Sequence, residues 1–155
     1  MSGSSRFAVV PAAYVFFLRG PRDGREVLLQ LRRGTGYMDE HWAAAAAGHV
    51  ERGETVLEAA AREVHEEVGV TDVRLTPACA MQRTGASGEP IDERVDYFFT
   101  SSSWSGEPRI LEPQKCADMR WFPLEGLPDP VVPHELAVLR AIRSGSVPPI
   151  LIHGF

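Results

Sequence analysis

The stretch Gly48–Val70 constrains this chain more than any other. It reads Gly-His-Val-Glu-Arg-Gly-Glu-Thr-Val-Leu-Glu-Ala-Ala-Ala-Arg-Glu-Val-His-Glu-Glu-Val-Gly-Val. Gly48 and Gly53 permit backbone paths that other residues resist. Thr55 and Glu58 make the T-x-x-E pattern of a capping box, and Gly69 suits a left-handed helix end. Between them, Val56, Leu57, Ala60, Val64 and Val68 predict an apolar stripe. Glu63, Glu66 and Glu67 stand at i, i+3 and i+4, within an arc of roughly 100°, and are expected on the face away from that stripe. Like charges placed so closely destabilise a bare helix. A hard divalent cation held by oxygen ligands is the natural counter-charge. A Glu-rich helix is otherwise a solvated surface.

The whole pattern separates the two cases. Read as G-x5-E-x7-R-E-U-x-E-E-x-G-U, with U aliphatic, it is matched at Gly48, Glu54, Arg62, Glu63, Val64, Glu66, Glu67, Gly69 and Val70. This resembles the Nudix box of the Nudix hydrolases, the family that includes MutT. The resemblance implies an α/β (α+β) fold, a mixed sheet sandwiched between helices with the box as loop-helix-loop. It also implies hydrolysis of a nucleoside diphosphate linked to a moiety X, with a nucleoside triphosphate or modified nucleotide as the leading subclass. A nucleotide sugar or a dinucleotide is the alternative substrate. Magnesium is the expected cofactor, with manganese possible. By resemblance its ligands are Glu63, Glu66, Glu67 and the Gly48 carbonyl. Arg62 and Glu54 are expected to bridge within the box and to orient Glu63, while His65 points off the acidic face.

Outside the box the signals are shorter. Trp104 to Glu112 resembles the MutT segment that brings a distant glutamate to the metal, which makes Glu112 a candidate ligand or general base; Glu63 is the competing base. Glu93 and Asp96 are rival acids that otherwise read as strand surface. Arg32 and Arg33 end a strand and offer guanidinium forks for phosphate, and the resemblance favours Arg33. Tyr37 is placed to stack on a base or to anchor its loop. No polar residue suited to reading an oxidised guanine is evident around Pro130 to His134, where Val131 and Val132 stand. Two other classes stay open: a Nudix-fold binding or regulatory module without turnover, and an isopentenyl diphosphate isomerase relative. The isomerase needs a cysteine in a His/Glu metal setting, and neither Cys79 nor Cys116 has that context in sequence.

The chain has 155 residues, enough for one cored domain over 6–155, preceded by a flexible tail over 1–5. The net charge of −5 argues against polymeric nucleic acid and leaves a small nucleotide, bridged by metal, as the partner. The two cysteines without a framework fit a reduced, cytoplasmic setting. The apolar run Phe7–Leu18 contains Pro11 and is too short to span a bilayer, so it is expected as a core strand. A hairpin to Glu26–Leu31 follows it. Strands are expected over Val73–Gln82, Arg94–Ser101 and Met119–Phe122, and a helix from Pro133 to about Gly145. In the second of these strands, Val95, Tyr97 and Phe99 alternate against Asp96 and Phe98. The alanine run 43–47 favours helix by propensity, with tertiary context expected to override it. The apolar tail Val147–Phe155 packs on the domain or on a second subunit, leaving monomer and homodimer open.

Overall fold

A computed structural model describes residues 6–155; the expected tail over 1–5 lies outside them. The chain begins with β1 (Val10–Arg19), whose alternate residues are buried on opposite faces. Ala12, Tyr14, Phe16 and Leu18 enter one apolar cluster, and Ala13, Val15 and Phe17 enter another. This two-sided burial explains why the strand reads as a continuous apolar run. Phe7, expected within it, lies outside and is exposed.

β2 (Glu26–Arg32) returns antiparallel to β1 through Leu18 opposite Val27, the predicted hairpin. The alanine run forms β3 (Trp42–Ala44) and β4 (Ala46–His49), so packing overrides helix propensity there. All of Ala43–Ala46 are buried, and Ala59 and Ala60 of the following helix share a cluster with Ala45 and Ala46. Small side chains on both partners allow that close approach.

Helix α1 (Val56–Val68) has the full capping box: the Thr55 side chain accepts from the Glu58 N–H, and the Glu58 side chain accepts from the Thr55 N–H. It ends on Gly69 at φ 73°, in the left-handed region glycine favours. Beyond it come β5 (Thr76–Thr84), β6 (Glu93–Ser101), β7 (Cys116–Pro123), α2 (Pro133–Ser144) and β8 (Ile150–His153). The sheet order is β3-β2-β1-β6-β5-β8, with β4 on β1 and β7 on β2. α1 covers one face and α2 the other. The tail therefore packs on its own chain, as β8 parallel to β5. Among the described residues no helix is long and apolar enough to cross a membrane.

One feature of this sheet positions everything functional. The same edge of β1 pairs with β2 near its end, at Leu18 and Arg19, and with β4 earlier, at Ala12–Val15. The sheet forks there, and the box loop leaves from β4.

Candidate active site

Two rows run along the sheet side of α1: Ala60, Val64 and Val68, all buried, and beside them Ala59, buried, with Glu63 and Glu67, half-buried. At about 100° per residue, Glu63 and Glu67 fall between Ala59 and Ala60 in angle. The acidic and apolar faces are therefore adjacent, not opposite as expected. Leu57, on the first turn, is 51% exposed and drops out of the stripe. Glu66 alone of the three glutamates lies on the open side, with its side chain 52% exposed against 13% for Glu63.

Arg62 holds this arrangement. Its Nη2 and Nε donate to the Glu54 carboxylate at 2.7 and 3.1 Å, and Nη2 also donates to the His49 carbonyl at 3.1 Å. Nη1 donates to Glu63 at 2.8 Å and to Glu66 at 3.3 Å. The fork of one guanidinium thus ties the loop after β4 to the helix, the bridge expected of Glu54 and Arg62. The bonds from Arg62 hold the Glu54 carboxyl below the usual range. Gly48 is needed for a different reason: a Cβ at this position would occupy the space of the Glu63 carboxylate.

Glu67 accepts from the Ala47 N–H at 3.1 Å and lies beside Glu63. Burial first, then the Glu63 charge, pushes its carboxyl well above the ordinary range; burial also raises Glu63, against the pull of Arg62. Two carboxyls held together, with one guanidinium that reaches only Glu63, are short of positive charge. In kind this oxygen-only donor set fits a hard divalent cation. As they stand, no three His, Cys, Asp or Glu side chains among the described residues converge as ligands, because Glu66 turns to Arg62 and Glu112 to Lys115.

Two cavities meet at the fork of the sheet, and Gln30, Arg32, Ala47 and Glu67 line both. The first, of about 340 Å³, is closed by Ile110, Leu111, Glu112, Lys115 and Cys116. Glu112 thus shares a cavity with Glu67, and its charge is felt by Glu67; Lys115 lies 3.6 Å from it. The second, of about 410 Å³, runs across the α2 face past Gly48, His49, Tyr37, Arg83, Arg94, His134 and Glu135.

The two candidate arginines are placed differently. Arg33 Nη2 donates to the Pro113 carbonyl at 2.6 Å, so it braces the loop carrying Glu112 and lines neither cavity. Arg32 lines both; it donates to Thr35 and to the Tyr37 carbonyl, with its guanidinium 5.6 Å above the Tyr37 ring. Tyr37 lines the second cavity. Asp96 is fully buried, not strand surface, because it shares a β6 face with Phe98. Glu93 accepts from the Thr84 hydroxyl, and His65 is exposed as expected. Cys116 does lie beside Glu67 and Glu112, but its thiol is buried, donates to the Asp118 carbonyl and is raised by burial, so it stays protonated.

Residues beyond those expected also line the site. His134 and Glu135 are polar and buried in the first turn of α2, just past the valines. Glu135 accepts from the Ala44 N–H at 2.7 Å, and burial pushes it up to about 7. His134 meets the Tyr14 hydroxyl at 3.3 Å and is pushed down to about 2, chiefly by burial. Arg83 and Arg94 complete this wall. Period-two alternation along β6 places Arg94, Asp96 and Phe98 on one face, the signal by which they are found.

A mixed sheet between two helices, with a capped acidic helix entering at a fork, is the architecture of MutT-type folds. The structure of a MutT NUDIX hydrolase from Burkholderia pseudomallei superposes with a TM-score of 0.76 at 27% identity, covering 86% of this chain and 97% of that one. The NUDIX domain of Shewanella oneidensis NrtR, complexed with ADP ribose, gives 0.71 at 14% identity over 94% and 93%. The NUDIX domain family model matches residues 9–142, and the chain belongs to that family. Among curated relatives, an isopentenyl-diphosphate Delta-isomerase from a Jannaschia species is 32% identical over 75% of this chain and 65% of its own length. A Pseudomonas aeruginosa NAD-capped RNA hydrolase NudC is 32% identical over 68% of this chain and 37% of its own. The chain thus spans less than two thirds of the length of either relative.

Proposed function

We propose that this chain is a divalent-metal-dependent hydrolase of a phosphoanhydride in a nucleoside diphosphate linked to another group, a nucleoside triphosphate or modified nucleotide being the leading candidate. The observation that carries this reading is the half-buried Glu63–Glu67 pair, held against Gly48 and opening into two cavities that share Arg32. Glu63, Glu66, Glu67 and the Gly48 carbonyl would hold magnesium or manganese, with Glu112 closing from the opposite wall. The bound ion would neutralise the diphosphate and acidify a water.

The chain's own residues do the rest. Arg62 fixes Glu63, and Glu66, held by Arg62 at 3.3 Å, would turn to the ion where one is bound. Arg32 binds a phosphate oxygen from between the cavities. A water attacks phosphorus, the bridging P–O bond breaks, and the water's proton passes to Glu112, leaving two phosphorylated products. Among the described residues no histidine lines the cavity that holds Cys116, which supports hydrolysis over isomerisation, although an isomerase is among the relatives. Residues 6–155 act as one domain: the family match ends at 142, and β8 beyond it adds to the same sheet. Its two free thiols suit the cytoplasm, and its −5 charge suits small nucleotides over polymers.

The test is a chromatographic screen of nucleoside triphosphates, nucleotide sugars and dinucleotides with magnesium. Cleavage within a diphosphate is expected. An absence of cleavage across the panel, with the protein folded and metal present, would leave a binding module in its place.

A further inference from the structure

The end of the second cavity away from Glu67 carries charge that bond cleavage at the box does not use. Arg83 and Arg94 are cross-strand partners on β5 and β6, and both line the cavity. Arg83 Nε donates to Asp96 Oδ2 at 2.7 Å. Asp96 Oδ1 lies 4.0 Å from Arg94 Nε, too far for a hydrogen bond. Both of those atoms are buried and lack any hydrogen-bond partner. One carboxylate therefore faces two guanidinium groups and satisfies one of them. The other neighbours do not relieve Arg94. Asp92 is engaged by the Ser87 hydroxyl, Glu135 by the Ala44 N–H, and His134 lies 3.8 Å from the Asp96 oxygen already used.

Asp96 meets the second guanidinium only at 4.0 Å, and an anionic oxygen of a ligand in the cavity that Arg94 lines would balance that charge. The flanks suit a ring: Tyr37 and Ile91 line the same cavity and are half exposed. The distance suits one as well. Gly48 sits opposite Ala13 on one side of β1, and Arg94 opposite Val10 on the other. Two strand spacings and three residues separate them, roughly 10 Å across and roughly 10 Å along. A sugar attached to a diphosphate at Gly48 and Glu67 spans most of that, and the arginine side chain closes the remainder.

We propose that Arg94, with Arg83 beside it, binds an anionic oxygen group on the sugar or other moiety attached to the diphosphate, so that this cleft selects nucleoside diphosphates whose attached group is itself acidic. This rests on the hydrolase reading for where the diphosphate lies. The anion is a phosphate monoester or a carboxylate, both of which an arginine fork accepts.

The test uses two matched pairs: ADP-ribose with its 1″-phosphate, in which the terminal ribose carries the added phosphate, and UDP-glucose with UDP-glucuronate. Dissociation constants are measured in chelator, and kcat/KM ratios with magnesium. The acidic member of at least one pair is expected to bind roughly ten- to a hundredfold tighter, as for a charged hydrogen bond. The pair that responds identifies the anion. Arg94→Gln should abolish the preference, while Arg94→Lys, which keeps the charge, should retain part of it; thermal melts check that both fold. Equal affinities within both pairs, no binding of either acidic probe, or a preference that survives Arg94→Gln would overturn the assignment. Acid-selective binding without cleavage of any diphosphate would instead sink the hydrolase reading and leave the anion site standing.

Discussion

Glu67→Gln should make the metal-free protein more stable and the metal-loaded protein inert. In the wild type, Glu67 and Glu63 sit side by side on the sheet-facing side of α1, with Arg62 reaching only Glu63. Two like charges about 4 Å apart in an effective dielectric of about 20 repel by about 4 kcal/mol. Proton uptake limits the cost: at neutral pH it cannot exceed about 1.4 kcal/mol per unit between the ordinary carboxyl pKa and the pH, again about 4 kcal/mol. A glutamine keeps an oxygen for the Ala47 N–H and offers its amide to Glu63. We expect a gain of about 1–3 kcal/mol in chelator, or a rise of about 2–10 °C in Tm for a chain of this size. The assay is a thermal melt at pH 7.5, in chelator and then in magnesium. Wild type should rise in Tm on adding metal, and the variant should not. A variant less stable in chelator that still gains stability from magnesium would refute the reasoning.

Glu112→Gln should lower kcat by about 10²–10⁴-fold with KM little changed, by steady-state kinetics, because a general base and not a binding group is lost. Arg32→Ala should act mainly on KM, raising it about tenfold or more, whereas Arg33→Ala, which frees the Pro113 carbonyl and the Glu112 loop, should act mainly on kcat. His134 is pushed down to about 2, so the unfolded chain takes up its proton below about pH 6.5 and the folded chain does not. Stability attributable to His134 is therefore lost as pH falls. Denaturant titrations should show the wild-type minus His134→Gln difference rising with pH, by about 1.4 kcal/mol per unit between about pH 4.5 and 6.

The box and its caps were legible because their rules are local. Thr55, Glu58, Gly69 and the Glu54–Arg62 bridge all depend on spacing within one loop and helix. The hairpin from β1 to β2 and the start of α2 at Pro133 follow from equally local signals. What failed depends on contacts distant in sequence. The depth of Glu63 and Glu67 follows from the alanines of β3 and β4, which let α1 approach closely enough to half-bury a second row. The placement of Arg33 depends on Pro113, a partner 80 residues away in sequence. The alternation along β6 puts Asp96 on one face with Phe98, but that this face is buried depends on α2 covering it, a contact distant in sequence. His134 and Glu135 were passed over because a polar residue at a helix start reads as exposed until α2 is seen to cover the sheet.

Chelation and add-back on the wild-type protein tests the central claim most directly. With any nucleoside diphosphate derivative that the protein cleaves, product formation is followed by chromatography, first in excess chelator and then with magnesium restored. Cleavage centred on Glu63, Glu66 and Glu67 predicts loss of turnover in chelator and full recovery on add-back. Undiminished turnover in excess chelator would contradict it.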